Sequence, residues 1–293
     1  MIVRLMGGLG NQLFQYAAGR RLAYLHQTSL KLDITSFETD TRGREYSLSH
    51  FCIQQVFATA EEIAKITGIS KKGLARKASR LGQKLKPYYR RSIFSEPHLK
   101  PFDPNILKTP KDVYLNGYWQ SEKYFVGIQE IIRREFTIRF EQDPQSRQIA
   151  EKAANTQSVS IHVRRDDNVW NPASIRTHGT CSLDYYNKCV SLIAEKVANP
   201  HFFVFSDDSP WVLKNLRLDY PSTYVTHNYM IRDYEDLRLM SLCKHHIIAN
   251  SSFSWWAAWL NPNPDKIVLY PRKWFNEANF DTRDLFPEGW IMI

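Results

Sequence analysis

The chain has 293 residues, 43% hydrophobic and 24% charged, with a formal charge of +9. Such a composition builds one large core or two ordinary ones and excludes a disordered chain. The basic excess predicts an anionic partner: nucleic acid, an anionic membrane or a phosphorylated small substrate. Its four cysteines, Cys52, Cys181, Cys189 and Cys243, form no Cys-x-x-Cys pair. That argues against a zinc site or a redox dithiol and predicts a reducing, cytoplasmic setting. No apolar run approaches the ~20 residues needed to span a bilayer, and the N-terminus turns polar too soon for a signal peptide.

Ile2–Met6 reads as a strand, Gly7-Gly8-Leu9-Gly10-Asn11-Gln12 as a tight loop, and Leu13–Gln27 as a helix before a second strand, Ser29–Asp33. Glycines at a strand-to-helix turn let backbone N–H groups approach a ligand beside the positive end of a helix. Equally, they permit close helix–sheet packing. From Ile63 to Ser95 there is no Asp or Glu among ten Lys and Arg, and Leu74, Ala78, Leu81 and Leu85 fall at helical spacing. This predicts a basic amphipathic helix, resting either on anionic lipid or, by its apolar stripe, on the domain itself. Nucleic acid is the poorer fit, because no strand-borne platform of aromatic residues accompanies the basic run.

Val113–Ser121 interleaves aromatic rings with amide donors, which suits either a sugar ring or a buried strand and turn. Ile128–Phe136 reads as a helix, and the polar stretch Glu141–Gln157 as a domain boundary. Beyond it the alternation is regular. Strand Val159–Val163, a loop from Asp166 to Ser182, helix Leu183–Ala198 capped by Ser182, strand His201–Phe205, and strand Ser222–Thr226 come first. Helix Asp233–Lys244, strand His245–Ala249, helix Ala257–Asn261 and strand Ile267–Tyr270 complete it. Alternating strands and helices predict parallel sheets, hence an α/β fold.

Three of these apolar strands end in polar bursts: Arg164-Arg165-Asp166-Asp167, Ser206-Asp207-Asp208 and Asn250-Ser251-Ser252-Phe253-Ser254. In a parallel sheet such ends share one edge, where open α/β sheets bind ligands. Guanidinium forks suit phosphate oxygens, helix-start hydroxyls and N–H groups add to them, and a carboxylate can accept from both donors on the guanine edge. Together they outline a guanosine diphosphate site. No Gly-x-x-x-x-Gly-Lys-Ser/Thr is present, which disfavours a P-loop nucleotidase. The competing reading for Arg164 and Arg165 is a structural pairing with Asp166 and Asp167.

Five ordered motifs are similar to the α-1,2-fucosyltransferase family, glycosyltransferase family 11, and extend over nearly the whole chain. They are Gly7-Gly8-Leu9-Gly10-Asn11-Gln12-Leu13-Phe14-Gln15-Tyr16-Ala17, Gly117-Tyr118-Trp119-Gln120-Ser121 and His162-Val163-Arg164-Arg165-x-Asp167, followed by Phe205-Ser206-Asp207-Asp208 and Asn250-Ser251-Ser252-Phe253-Ser254-Trp255-Trp256. One departure stands out: Asp166 and Asn168 occupy positions where the family has glycine and tyrosine.

The resemblance implies a GT-B-like architecture of two Rossmann-like halves whose parallel sheets face across a cleft. Residues 1–150 would form the acceptor-side half, carrying the basic insertion near 63–95, and 151–293 the GDP-sugar-binding half. It implies transfer of fucose from GDP-β-L-fucose, with inversion and no metal ion, to O2 of a terminal galactose. The acceptor would be an oligosaccharide or lipid-linked glycan of the O-antigen or capsule type.

Gly10 and Asn11 would approach the pyrophosphate, and Ser251, Ser252 and Phe253 would line the phosphate and base pocket. Asp207 or Asp208 would read guanine, and His162 would contact the base or be a buried structural residue. Arg164 is expected to stabilise the leaving diphosphate, with Arg165 holding the strand end. For the acceptor proton, Asp167 is the nearest carboxylate and His178 the second candidate; Asp167 reads equally well as an arginine partner that holds the loop. Other readings are another GDP-sugar transferase, or a basic protein of the membrane surface or nucleic acid. The peripheral contact expected here is with the inner face of an anionic membrane, and no nucleic-acid partner is expected.

Overall fold

The computed structural model describes residues 1–68, 81–96, 101–165, 167–228, 232–277 and 280–293; the side chains of Asp167 and Asn168 lie outside the described set. The chain divides into two compact units, Met1–Thr137 with Phe280–Phe286, and Ile138–Asn279 with Pro287–Ile293. Each is built on an all-parallel sheet.

In the first unit the strands are β1 (Ile2–Arg4), β2 (Lys31–Asp33), β3 (Ile93–Ser95) and β4 (Tyr114–Asn116). Their order is β2-β1-β4-β3. Val3 pairs with Leu115, and Ser95 with Asn116, so β1, β4 and β3 end in one layer. Val3, Leu32 and Leu115 are fully buried, as are Leu13, Phe14 and Ala17 of the first helix. Burying each larger apolar side chain contributes about 1.5–3 kcal/mol before entropy is counted.

That helix spans Leu9–Leu25, four residues earlier than its polar, glycine-rich start suggests. The expected loop is therefore only Leu5–Gly8, and Gly10 and Asn11 sit in the first helical turn. Buried amides explain the difference. Gln12 Nε2 donates to the carbonyls of Gly7 (2.9 Å) and Glu45 (2.8 Å), and Gln15 Oε1 accepts from Met6 N (2.9 Å). Both glutamines are fully buried, so polar residues that look like loop are the inward face of a helix. Gly7, at φ 76°, makes the turn into it.

The basic helix expected within 63–95 falls mostly on 69–80, outside the described residues. Its described end, 81–85, is helical, with Leu81 and Leu85 exposed at 61% and 81%. On that part, then, the apolar stripe does not cover a core. The preceding helix, Ala60–Thr67, carries a full capping box between Thr59 and Glu62.

The second unit holds β5 (Gln157–Val163), β6 (Pro200–Ser206), β7 (Ser222–Val225), β8 (His245–Ile247), β9 (Val268–Tyr270) and β10 (Ile291–Met292), ordered β10-β9-β8-β5-β6-β7. β5 is central and buried on both faces, as a strand covered on both sides must be. Val159, Ile161 and Val163 pack with Tyr185, Tyr186, Cys189 and Ile193 of helix Leu183–Lys196. Ser182 caps that helix, accepting from Tyr185 N at 3.2 Å.

On the other side, Ser160 Oγ and Asn261 Nδ2 bracket the two ring nitrogens of fully buried His246, at 2.8 and 2.7 Å. The polar stretch 141–157 contains helix Pro144–Ala154, capped by Asp143. The loop expected at 166–182 contains two short helices, Asp167–Trp170 and Pro172–Thr177, the latter capped by Asn171. All four thiols are unpaired.

Candidate active site

At the carboxyl edge of the six-stranded sheet, β5 and β6 run side by side until Val163 pairs with Ser206. Ser206 Oγ donates to Val163 O (2.8 Å) and accepts from Asp208 N (3.0 Å), which ties the two strand ends together. The arginines that follow β5 are met by the aspartates that follow β6. Arg164 Nη1 lies 2.5 Å from Asp207 Oδ2, and Arg165 N donates to Asp207 Oδ1 at 2.8 Å. Arg165 Nε donates to Asp208 Oδ2 at 3.1 Å, while Asp208 Oδ1 accepts from Trp211 N and caps helix Ser209–Asn215. The Arg165 guanidinium also stacks on Trp211, 3.7 Å from the ring centre.

The carboxylates expected to read guanine thus both engage arginine. Arg165 is clamped on two sides as a strand-end anchor. Arg164 is engaged by Asp207 with its side chain 20% exposed, so a permanent cation is oriented before any ligand arrives. These pairs are only partly shielded, and their worth is geometric more than energetic.

His162, the last but one residue of β5, is 5% exposed and packs against Phe253, ring centres 5.4 Å apart. Burial, aided by the charge of Arg164, pushes its pKa down to about 3. It is therefore a neutral imidazole at physiological pH, and its Nδ1 has no hydrogen-bond partner among the described residues. Tyr186 supports the strand end by donating to His162 O (3.1 Å).

The third polar burst starts a helix. Ser252–Leu260 is helical, so Ser252 and Phe253 form its first turn and Ser251 is its cap, accepting from Phe253 N at 3.3 Å. The expected start at Ala257 is five residues late, because a run of Ser, Phe and Trp lacks polar–apolar alternation. Asn250 has a role the sequence did not signal. It is buried, and its Nδ2 donates to the carbonyls of His178 (3.0 Å) and Gly179 (3.3 Å), latching the preceding loop to the strand end. Asp167 begins its short helix, and its side chain lies outside the described residues.

The first unit has its own carboxyl edge. After β1, no side chain among the described residues caps the helix that begins at Leu9. In that first turn Asn11 Oδ1 accepts from Gln120 Nε2 (2.7 Å), which follows β4. Beside it, after β3, Glu96 Oε2 accepts from the N–H groups of Tyr118 (2.6 Å) and Trp119 (2.9 Å). Sequence reasoning passed over Glu96, although it is the first acidic residue after the acid-free run from 63 to 95.

Two parallel α/β units, each with polar groups gathered at the carboxyl ends of its strands, define a GT-B-like glycosyltransferase fold. The solved structure of FUT1 from Arabidopsis thaliana in complex with GDP is similar in fold, with a TM-score of 0.53 at 12% identity, covering 99% of this chain and 75% of that one. Residues 1–293 match the family described as glycosyl transferase family 11, and the chain belongs to that family. An α-1,2-colitosyltransferase of Escherichia coli is 32% identical over 302 residues, covering 100% of this chain and 98% of the relative. The O-antigen biosynthesis glycosyltransferase WbnK, also of Escherichia coli, is 35% identical over 307 residues, 99% of each. The protein is therefore a glycosyltransferase. Among its described residues no helix is long and apolar enough to cross a membrane.

Proposed function

We propose that this protein is an inverting α-1,2-L-fucosyltransferase that moves fucose from GDP-β-L-fucose to O2 of a terminal galactose in an O-antigen or capsule type glycan. The observation that carries the reading is Arg164, oriented by Asp207 at the carboxyl edge of the β5–β6 pair. Displacement at the anomeric carbon gathers negative charge on the departing diphosphate. A guanidinium already aimed at that charge stabilises the transition state without reorganising, and such a group is worth ~10²–10³ in rate.

In this reading His162 and Phe253 flank the nucleotide, with the imidazole neutral and able to hydrogen-bond. Ser251 and Ser252 at the helix start, together with Gly10 and Asn11 at the uncapped first helix, offer donors to the phosphates. Asp207 and Asp208 hold the arginines in place. The exposed Leu81 and Leu85 beside Lys84 and Lys86 support peripheral contact with an anionic inner membrane surface, where a lipid-linked acceptor would be met.

A second reading rests on the similarity to an α-1,2-colitosyltransferase. Colitose is L-fucose without its 3-hydroxyl, so the two donors differ in one group. A site that hydrogen-bonds the hydroxyl rejects the deoxy donor by ~10⁴–10⁵, whereas an apolar site excludes the hydroxylated donor by only ~10².

The test is donor turnover in EDTA with GDP-fucose and GDP-colitose, against lactose and lacto-N-biose, following GDP release and product linkage by NMR. Acceptor-dependent release with a new α-1,2 linkage is expected. A preference of ~10² for GDP-colitose would replace fucose in the reading. No turnover or binding of any GDP-sugar would overturn it, and loss of activity in EDTA that Mn²⁺ restores would overturn metal independence.

A further inference from the structure

We propose that Glu96 is the general base of the transfer, taking the proton of the acceptor hydroxyl as that oxygen attacks the donor sugar. The proposal rests on the transferase reading above and names a further residue for the same reaction. Glu96 immediately follows β3, so it stands at the carboxyl edge of the four-stranded sheet, where ligands bind in such folds. The edge continues through Gln120 after β4 to Asn11 after β1, two side chains that hydrogen-bond to each other.

The local backbone is shaped around this carboxylate. Trp119 is fully buried and holds φ at 56°, a left-handed conformation that is disfavoured for a bulky residue. That turn aims two successive N–H groups, of Tyr118 and Trp119, at Glu96 Oε2. Gly117 leaves the room. A Cβ there would lie 2.4 Å from Glu96 Cβ and 2.8 Å from Oε2. Strain and close approach of this kind concentrate where a side chain must be held in one position. One oxygen is anchored by two donors, while Oε1 makes no hydrogen bond to any described residue. A carboxylate fixed by one oxygen and open at the other is the arrangement a proton acceptor requires.

The electrostatics agree. The two N–H donors favour the charged form, but burial prevails and lifts the carboxyl to about 7. Tyr124 is the titratable side chain facing it, and its phenol is itself kept protonated by burial. No charge from a described residue offsets the burial. A base is most useful when its pKa lies near the working pH, because it is then both available and strong enough.

The step balances simply. The acceptor O–H bond breaks and its proton passes to Glu96 Oε1. The oxygen forms the new bond to the anomeric carbon. The bond from that carbon to the β-phosphate oxygen breaks, its electron pair leaves with GDP, and the proton on Glu96 is then released to solvent.

The alternative is that Glu96 merely pins the 117–119 turn. Glu96→Gln separates the two, because an amide oxygen can still accept from both N–H groups while the side chain can no longer take a proton. The experiment measures kcat/KM against pH for the wild type, Glu96→Gln and Asp167→Asn, with GDP affinity followed by calorimetry. The wild type is expected to show an acidic limb near neutrality. In Glu96→Gln, kcat is expected to fall by ~10²–10⁴-fold, with the limb lost and GDP affinity unchanged. Glu96→Ala should recover part of the rate in formate.

A wild-type profile without that limb would overturn the base assignment, whatever the variants do. So would Glu96→Gln working within threefold of wild type, or a limb that disappears in Asp167→Asn instead. If the wild type transfers from no GDP-sugar at all, the transferase reading fails first and takes the base with it. Wild-type transfer with an unaffected Glu96→Gln sinks the base alone.

Discussion

At the carboxyl edge of the six-stranded sheet two arginines meet two aspartates of the neighbouring strand, and an indole ring closes the stack. At the corresponding edge of the four-stranded sheet Asp33 is taken up by Thr35 and the Tyr114 hydroxyl, a pair of side-chain amides meet, and Glu96 is held by backbone N–H groups alone. The first edge is stiffened by opposite charges and keeps its geometry through side chains. The second is stiffened by backbone shape and keeps its geometry through Gly7, Gly117 and the turned Trp119. Formal charge suits a site where charge develops on a leaving group. A lone carboxyl lifted by burial suits one where a proton moves.

The largest effect that tests this contrast is at Arg164. Arg164→Ala should lower kcat by ~10²–10³ with the fold intact, since the side chain is partly exposed and its loss leaves Asp207 still bonded to Arg165 N. GDP release at saturating donor measures it, and Arg164→Lys should restore only part, lacking the planar fork. Near-normal turnover in Arg164→Ala would break the assignment of leaving-group stabilisation to this edge.

Next comes Gly117→Ala. Its methyl group cannot fit without moving Glu96, so a loss of about 1–3 kcal/mol is expected in urea unfolding. The acidic limb of the rate profile should shift as well. An unchanged unfolding midpoint would mean that the backbone shape is not what holds this edge.

The third effect is a pH dependence of stability. The carboxyl of Glu96 titrates at about 7 when folded, above its ordinary 4.5, so the folded state holds the proton more tightly. Its contribution is full below the unfolded value and is lost as pH rises through the folded one. Relative to Glu96→Gln, the wild type should therefore lose stability between about pH 4.5 and 7. Parallel urea midpoints for the two proteins would contradict the lifted carboxyl.

The smallest effect is at Trp211. Trp211→Leu removes the ring beneath Arg165 and should cost about 0.5–1 kcal/mol, with turnover within a few-fold of wild type, because Asp208 still holds the guanidinium. A collapse of activity would move Arg165 from anchor to participant.

The two edges also differed in how far they could be read beforehand. Arg164, Arg165, Asp207 and Asp208 stand out as charges after apolar strands, and their gathering at one edge follows from a parallel sheet. What the pattern did not signal was partnership across strands: Asp207 and Asp208, some forty residues on, meet the arginines because register sets Val163 beside Ser206, while the side chains of Asp166 and Asp167 lie outside the described residues. Helix starts were read late at Leu9 and Ser252 for one reason. Buried Gln12, Gln15 and the Trp255–Trp256 pair break the polar–apolar period on which such a reading depends. Glu96 carried almost no signal, since its environment is made by a turn 21 to 23 residues further on.

By itself the sequence determined the alternation of strands and helices, the polar strand ends and the family motifs. These are local properties, written in the spacing of apolar residues and in the identity of charged ones. Only the tertiary structure decided which carboxylate holds which arginine, that His162 is neutral, and that Glu96 is lifted towards neutrality. Each of these depends on burial and on strand register, and both are set by contacts between segments distant in the chain.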